Sequence, residues 1–434
     1  MRRWAARFPA KFRLTVDILK RVSVGRIDSM SAAAAEILTG TKIFSDRINR
    51  IEVSATMAIT AEALRLKATG IDLADFGAGE PHFGTPDHIK RAAIEAIEKN
   101  LTKYTAVAGI PEVRKAICAR HAADFGTDYK IDECCFATGG KQALFNAIEV
   151  LVDHGDEVIV PVPYWVSYKD IIQFAGGKPV FVRTDEAQDF RLTAAMVEAA
   201  ITDRTRCIIL NSPTNPAGSI ILPEDMESII RLAHRRGILV LLDECYNYLN
   251  FEGDGKPTSG ASVTDCRDSI VICGTLSKTY AMTGWRAGFA LGPKSIIAAI
   301  SKLQSQSTSN ASTPVQYAAI AALNGPQDCV DEMRKGYIEL RDRILAGFKT
   351  IPGITCTVPQ GAFYVYPNVS AFFDKKDAST ASEIASRLLS EAHVVCVPGE
   401  AFGTEEHLRF SYATSADVID KGIERMRTFF AGLV

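Results

Sequence analysis

Between residues 148 and 292 one pattern keeps returning: a short apolar run, turn residues, then a stretch of helical texture. The runs are "DEVIVPV", "KPVFVR", "RCIILNSP", "GILVLLDE", "SIVICGTLS" and "RAGFALGP". Their apolar residues occupy consecutive positions rather than alternate ones, so each predicted strand must be covered on both faces. Parallel sheets sandwiched between helices create that environment. The pattern therefore predicts an α/β domain with a mostly parallel central sheet flanked by helices. In such sheets ligands bind beyond the carboxyl ends of the strands, so the polar residues directly after each run are where chemistry belongs.

After Gly325 the texture changes to a charged helical segment over 331–349, strand-like pieces "GAFYVYP", "HVVCVPG" and "HLRFSYA", and a closing helix from Asp417. Thr56 to Ala68 reads as a helix and Ile71 to Phe76 as a strand. At 434 residues the chain exceeds what one core usually serves. The expected division is an N-terminal extension over 1–45, a small α+β domain over 46–85 and 326–434, and a large domain over 86–325.

Four strand ends carry polar residues that suit one chemistry together. "NSPTNPAG" holds Asn211 and Asn215; "DECYNYL" places Asp243 at the edge of a buried strand and Tyr246 one helical turn on. "TLSKTYAMTGWR" contains Thr275, Ser277, Lys278 and Arg286, and upstream "FATGGKQALFNAI" sets Gly139 and Gly140 before a helix. Taken singly, a strand-end aspartate is commonly a helix cap, a glycine pair a turn, and a lysine solvated. Together they describe an anion site: a glycine pair opening a helix offers free N–H groups to a phosphate, and Thr275, Ser277 and Arg286 add donors.

The bulk composition removes other classes. A formal net charge of −2 lacks the basic excess of nucleic-acid binders. The ten cysteines form no C-x-x-C pair, and the seven histidines show no ligand spacing, so no metal is expected. Cys207, Cys273 and Cys396 sit in apolar runs and read as core packing in a reducing compartment, the cytoplasm. No apolar stretch is long enough to span a membrane. The first 26 residues carry eight Lys/Arg and one acid, Asp17. They read either as sequence upstream of a start at Met30 or as an organelle-targeting helix.

The motifs "GGKQALFN", "PYWVSY", "NSPTNPAG", "DECYNYL", "SKTYAMTGWRAG", "GAFYVYP" and "RFSYAT" occur in the order found in the fold-type I pyridoxal-phosphate enzymes. From Phe44 to the C-terminus the chain resembles class I aminotransferases of the aspartate aminotransferase kind, in the bacterial and plastid branch that includes prephenate aminotransferases. The resemblance implies that Lys278 carries pyridoxal 5′-phosphate covalently on its amine and, once released, acts as the base. It implies that Arg286, Gly139, Gly140, Lys141, Thr275 and Ser277 serve the cofactor phosphate end. Asp243 would face the pyridine nitrogen, Tyr246 and Asn215 the phenolic oxygen, and Trp165 the ring face. Tyr104 would be lent to the phosphate of a neighbouring subunit, which makes a homodimer with shared active sites.

For the substrate, an amino acid exchanging with a 2-oxo acid, the resemblance points to Gly79, Trp165, Asn215, Thr56 and Arg409. The last would take the α-carboxylate with two parallel hydrogen bonds. Lys103 stands where this branch holds a distal carboxylate, which favours aspartate and 2-oxoglutarate. Against it, Glu52 and Val53 replace the lysine and proline that usually precede "SAT". An anion there disfavours acidic ligands unless Glu52 turns away or pairs with Lys103. His82, in "GEPHFGTP", stands where acids are common and reads as a loop residue. A neutral or aromatic amino donor, or a β-lyase reaction on the same site, stays open. A transcription regulator with a ligand-sensing domain of this kind is disfavoured by charge and by the roughly 45 residues ahead of the match.

Overall fold

Seven strands make the central sheet, in the spatial order Cys134–Ala137, Gly288–Leu291, Ile270–Thr275, Leu239–Glu244, Thr205–Asn211, Glu157–Val162, Lys178–Arg183. The computed structural model that shows this describes residues 44–52, 55–375 and 378–433. From Ile51 onward the chain forms one compact unit; ahead of it residues 44–50 carry a single short turn of 3-10 helix, Ile48–Arg50. The basic leader and "SAAAAE" lie outside the described residues, as does Val53.

All six apolar runs enter this sheet, and most alternate their side chains between two cores; the exception is the edge strand Lys178–Arg183, where Val182 alone is buried and Phe181 is exposed, and which has a strand neighbour on one side only. Ile208, Leu210, Val240, Leu242, Ile270 and Ile272 pack on one face, under helices that include Pro111–Phe125, Pro223–Arg235 and Thr313–Asn324. Cys207, Ile209, Leu241, Val271 and Cys273 pack on the other, under Gly140–Leu151, Ser167–Ala175 and Lys294–Gln306. The helix over 223–235 shows why these segments coil: proline sits at its first position, Glu224 and Asp225 in its first turn, and His234 and Arg235 in its last. Each of these complements the helix end it occupies.

Two features depart from the sequence reading. Gly288–Leu291 runs antiparallel to both neighbours. The twelve residues between Thr275 and Gly288 form turns and no helix, so the chain lacks the helical crossover that usually returns a parallel strand. The sheet also gains Cys134–Ala137, whose four residues are all buried; so short a run carries almost no periodicity.

A second core gathers Phe76, Phe348, Phe363, Phe410, Tyr412 and Phe430. Around it lie the helices Asp328–Phe348, Ala381–Ala392 and Ala416–Leu433 and a three-stranded antiparallel sheet in which Leu408–Ser411 is central. Ala74–Asp75 pairs in parallel with Val394–Val395. The helix expected over 56–68 is present as Ala55–Ala68.

Candidate active site

At the carboxyl ends of the parallel strands a cavity of about 360 Å³ is lined by residues from both cores' surroundings, among them Lys141, Asp243, Lys278, Arg286 and Arg409. Four cationic side chains thus face one carboxylate. Among the described residues none of the four is within ion-pair distance of an acid, whereas the surface cations of this chain are commonly paired. Of the four only Arg409 is buried outright, Lys278 is half-buried, and Lys141 and Arg286 reach solvent; like charges gathered around one cavity without a paired acid favour anions that come from outside.

Gly139 and Gly140 open the helix Gly140–Leu151. Gly139 has φ +91°, and a Cβ there would lie 2.5 Å from Arg286 Nη2. A Cβ on Gly288 would lie 2.3 Å from the Gly140 amide nitrogen. Only glycines let the helix start and the Arg286 guanidinium approach so closely. Among the described residues the Gly140 and Lys141 amides have no acceptor. Thr275 Oγ1 and Ser277 Oγ are 2.8 Å apart beside them. Arg286 itself holds a left-handed φ of 56° and donates from Nη1 to the Thr283 carbonyl at 2.8 Å.

Lys278 follows the strand Ile270–Thr275 and donates to the Gly79 carbonyl at 2.6 Å. Burial holds its amine below the ordinary lysine value; Arg286 and Arg409 push the same way, while Glu80 opposes them. Lys141 is depressed by burial and by Arg286, with its ammonium 4.8 Å from the Trp165 ring centre. Asp243 ends its strand with the carboxyl pushed up to about 6, first by burial and then by Glu244, while a hydrogen bond from Tyr168 pulls it down. The Tyr246 hydroxyl meets that of Tyr364 at 2.7 Å, and burial pushes its ionisation far up.

Arg409 is 2% exposed. Its Nη1 donates to Asn215 Oδ1 at 3.1 Å and its Nη2 to the Gly77 carbonyl at 2.9 Å, while Nε has no acceptor. The guanidinium lies over Tyr364, 4.6 Å from the ring centre. Its partners are neutral, so its charge is uncompensated. Asn215 is tied to the sheet by its N–H bond to Asn211 Oδ1, and Asn211 in turn donates to the Asp243 carbonyl.

The structure therefore brings Gly79, Gly140, Lys141, Trp165, Asn215, Asp243, Tyr246, Thr275, Ser277, Lys278, Arg286 and Arg409 to one cavity, with Gly139 behind Arg286. It does not bring Tyr104 or Lys103 there: Tyr104 is 91% exposed, and the Lys103 carbonyl accepts from Thr313 Oγ1. Thr56 is in the helix Ala55–Ala68 with its side chain outside the described residues, and Thr60, one turn on, lines the cavity. Glu52 pairs with Lys169 at 3.3 Å, and its N–H meets Asp170 Oδ1 at 3.4 Å. It is therefore engaged by the helix Ser167–Ala175 and not by Lys103. His82 lies against Phe83 in a tilted ring contact at 4.1 Å, its ionisation lowered by burial, and is not among the cavity residues.

Sequence reasoning missed Tyr168 and Tyr364. Both lie in motifs it used, "PYWVSY" and "GAFYVYP", but among apolar neighbours a tyrosine reads as packing. A larger groove of about 960 Å³ lies to the other side of Asp243 and Glu244. Its arginine, Arg231, is already paired with Glu227 and Asp265, and the remaining charge is acidic, so it offers an anion nothing.

A helix-flanked, mostly parallel sheet with an anion-seeking site, a half-buried lysine and a strand-end aspartate at its carboxyl edge defines a fold-type I enzyme. The chain belongs to the class I and II aminotransferases, whose family model matches residues 71–426. It is 43% identical over 384 residues to the aspartate aminotransferase of Geobacillus stearothermophilus, covering 88% of this chain and 98% of that one. To the aspartate/prephenate aminotransferase of Cereibacter sphaeroides it is 42% identical over 395 residues, covering 90% and 99%. Among solved structures, the Thermus thermophilus aspartate aminotransferase with maleate matches with a TM-score of 0.85 at 39% identity, covering 89% of this chain and all of that one. The Rhizobium meliloti aspartate aminotransferase matches with a TM-score of 0.86 at 40% identity, covering 91% and 100%.

Proposed function

We propose that this aminotransferase works with pyridoxal 5′-phosphate, exchanges amino groups between aspartate and 2-oxoglutarate, and does so as a homodimer in the cytoplasm. The observation that carries the reading is the cavity's charge: Lys141, Lys278, Arg286 and Arg409, with no acid in ion-pair reach among the described residues, around a single carboxylate, Asp243. When bound, the cofactor supplies an aldehyde that accepts the amino group and a ring that draws electrons from the substrate Cα.

The residues fit it at both ends. The open amides of Gly140 and Lys141, the hydroxyls of Thr275 and Ser277 and the Arg286 guanidinium make a cradle for a phosphate dianion, and a Cβ at Gly139 would fill it. Asp243 would offer a carboxylate to a protonated ring nitrogen, Tyr246 and the Asn215 amide would serve the phenolic oxygen, and Trp165 would supply a flat face for the ring. Lys278, depressed by burial, is a competent nucleophile toward the aldehyde, and as a free amine it takes the proton from the substrate Cα. Arg409 binds the substrate α-carboxylate, which provides the charge its neutral partners do not. Gly79 and Thr56 border the substrate.

Specificity for a dicarboxylate is supported by relatives named aspartate aminotransferases and by the maleate-bound Thermus structure. It is also supported by the pairing of Glu52 with Lys169, which occupies that anion away from the cavity residues. Tyr104, exposed in the single chain, and Lys103 beside it are assigned to the dimer's shared sites. The two cores support a large domain over 86–325 and a small one over 46–85 and 326–434. All ten cysteines are free, as a reducing compartment requires. A donor and acceptor screen tests the function: aspartate should react only with a 2-oxo acid acceptor present. Preference for apolar donors would overturn the specificity, and ammonia release without an acceptor would overturn transamination.

A further inference from the structure

Asp243 has two carboxylate oxygens and one side-chain donor. Tyr168, on the helix Ser167–Ala175, donates to Oδ2 at 2.6 Å. Among the described residues no donor reaches Oδ1, and Asp243 lines the cavity. Tyr168 is 3% exposed, and burial pushes its ionisation far up, so its phenol stays protonated and can only donate this bond. Trp165, one turn earlier, meets the Tyr168 ring edge-on at 5.4 Å. The entry turn and first turn of this helix therefore carry both the aromatic face and a clamp on the carboxylate.

We propose that Tyr168 is a positioning residue that holds Oδ2 of Asp243, turning Oδ1 toward the cavity and keeping the carboxylate ionised to meet the cofactor's ring nitrogen. The inference rests on the role assigned to Asp243 above. The groups facing that carboxylate are Tyr168 from its helix, Glu244 and Cys245 along its own chain, Cys273 from the adjacent strand and Lys278 from the turn beyond. Of these, Tyr168 alone donates a hydrogen bond to it. Losing that bond weakens the anion without adding or removing a charge.

The test is the dissociation constant of pyridoxal 5′-phosphate from the full-length protein, measured across pH for wild type, Tyr168→Phe, Asp243→Asn and the double variant. Tyr168→Phe should weaken binding about ten- to hundredfold and move the acidic limb of the binding profile up by about one pH unit. In the Asp243→Asn background the same change should cost less than about threefold, since the bond's charged acceptor is gone. Equal losses in both backgrounds, or an unmoved acidic limb, would overturn the positioning role while leaving Asp243 in place. An Asp243→Asn variant that binds like wild type would remove the underlying assignment and this inference with it. Should Tyr168→Phe not fold, fluorotyrosine at 168 keeps the shape and strengthens the donor. It should move the acidic limb down, and an unmoved limb overturns the role.

Discussion

Replacing Arg409 by leucine removes a guanidinium that, among the described residues, donates to the Asn215 amide oxygen at 3.1 Å and the Gly77 carbonyl at 2.9 Å and to no other acceptor. Two effects on the resting protein oppose each other. Each acceptor left bare costs about 1–3 kcal/mol, while relief of a buried, uncompensated charge returns several kcal/mol. Fold stability should change little, with a melting midpoint within about 5 °C of wild type. Catalysis has no such compensation. A buried bidentate contact with a carboxylate is worth about 3–5 kcal/mol when one partner is truncated, so kcat/KM for aspartate should fall roughly two to three and a half orders of magnitude. Single-turnover absorbance with aspartate measures this on the loaded enzyme. Cofactor binding, which Arg409 does not serve, should stay within about threefold of wild type. A kcat/KM within about threefold of wild type would refute the reasoning, as would an equal loss of cofactor affinity.

Three further outcomes are expected. Asp243 titrates near 6 in the folded, cofactor-free chain against an ordinary 3.8, so the folded state holds the proton more tightly. Its contribution is intact below about pH 4 and is lost as pH rises through 6. Asp243→Asn should therefore stabilise the cofactor-free protein at pH 8, by about 3 kcal/mol at most, yet destabilise the loaded one; chemical denaturation with and without cofactor reads both signs, and one sign in both states contradicts the assignment. Gly139→Ala forces a Cβ to 2.5 Å from Arg286 Nη2 at a φ of +91°, and should weaken pyridoxal phosphate binding about tenfold or more; undiminished affinity would show the cradle lies elsewhere. Glu52→Gln dissolves an exposed pair with Lys169 at 3.3 Å, worth at most about 1 kcal/mol. It should change kcat/KM for aspartate less than about fivefold, and a larger gain would mean Glu52 acts on the substrate directly.

Strands buried on both faces announce themselves as consecutive apolar residues, which is why the runs from "DEVIVPV" to "RAGFALGP" were legible as strands along with the polar residues at their ends, although "KPVFVR" has the same texture and is a half-exposed edge strand. Direction was not: Gly288–Leu291 has the same texture as the parallel strands of the sheet, and what sets it apart is a preceding connection made of turns with no crossover helix. The cavity's charged residues were legible because charge at a strand end is out of place in a core. Tyr168 and Tyr364 were not, since their roles depend on contacts with Asp243, 75 positions away, and with Tyr246, 118 positions away. The partner of Glu52 was equally hidden, because Lys169 is 117 residues distant and exposed lysines give no local sign of what they face.

The account turns on which amine carries the cofactor, and two lysines, Lys141 and Lys278, line the same cavity. Borohydride reduction of the loaded protein, followed by peptide mass spectrometry, fixes the pyridoxyl group to whichever amine holds it. It should be found on Lys278, and Lys278→Ala should leave no labelled peptide and no visible absorption band. A label on Lys141, or a band that survives Lys278→Ala, would contradict the account.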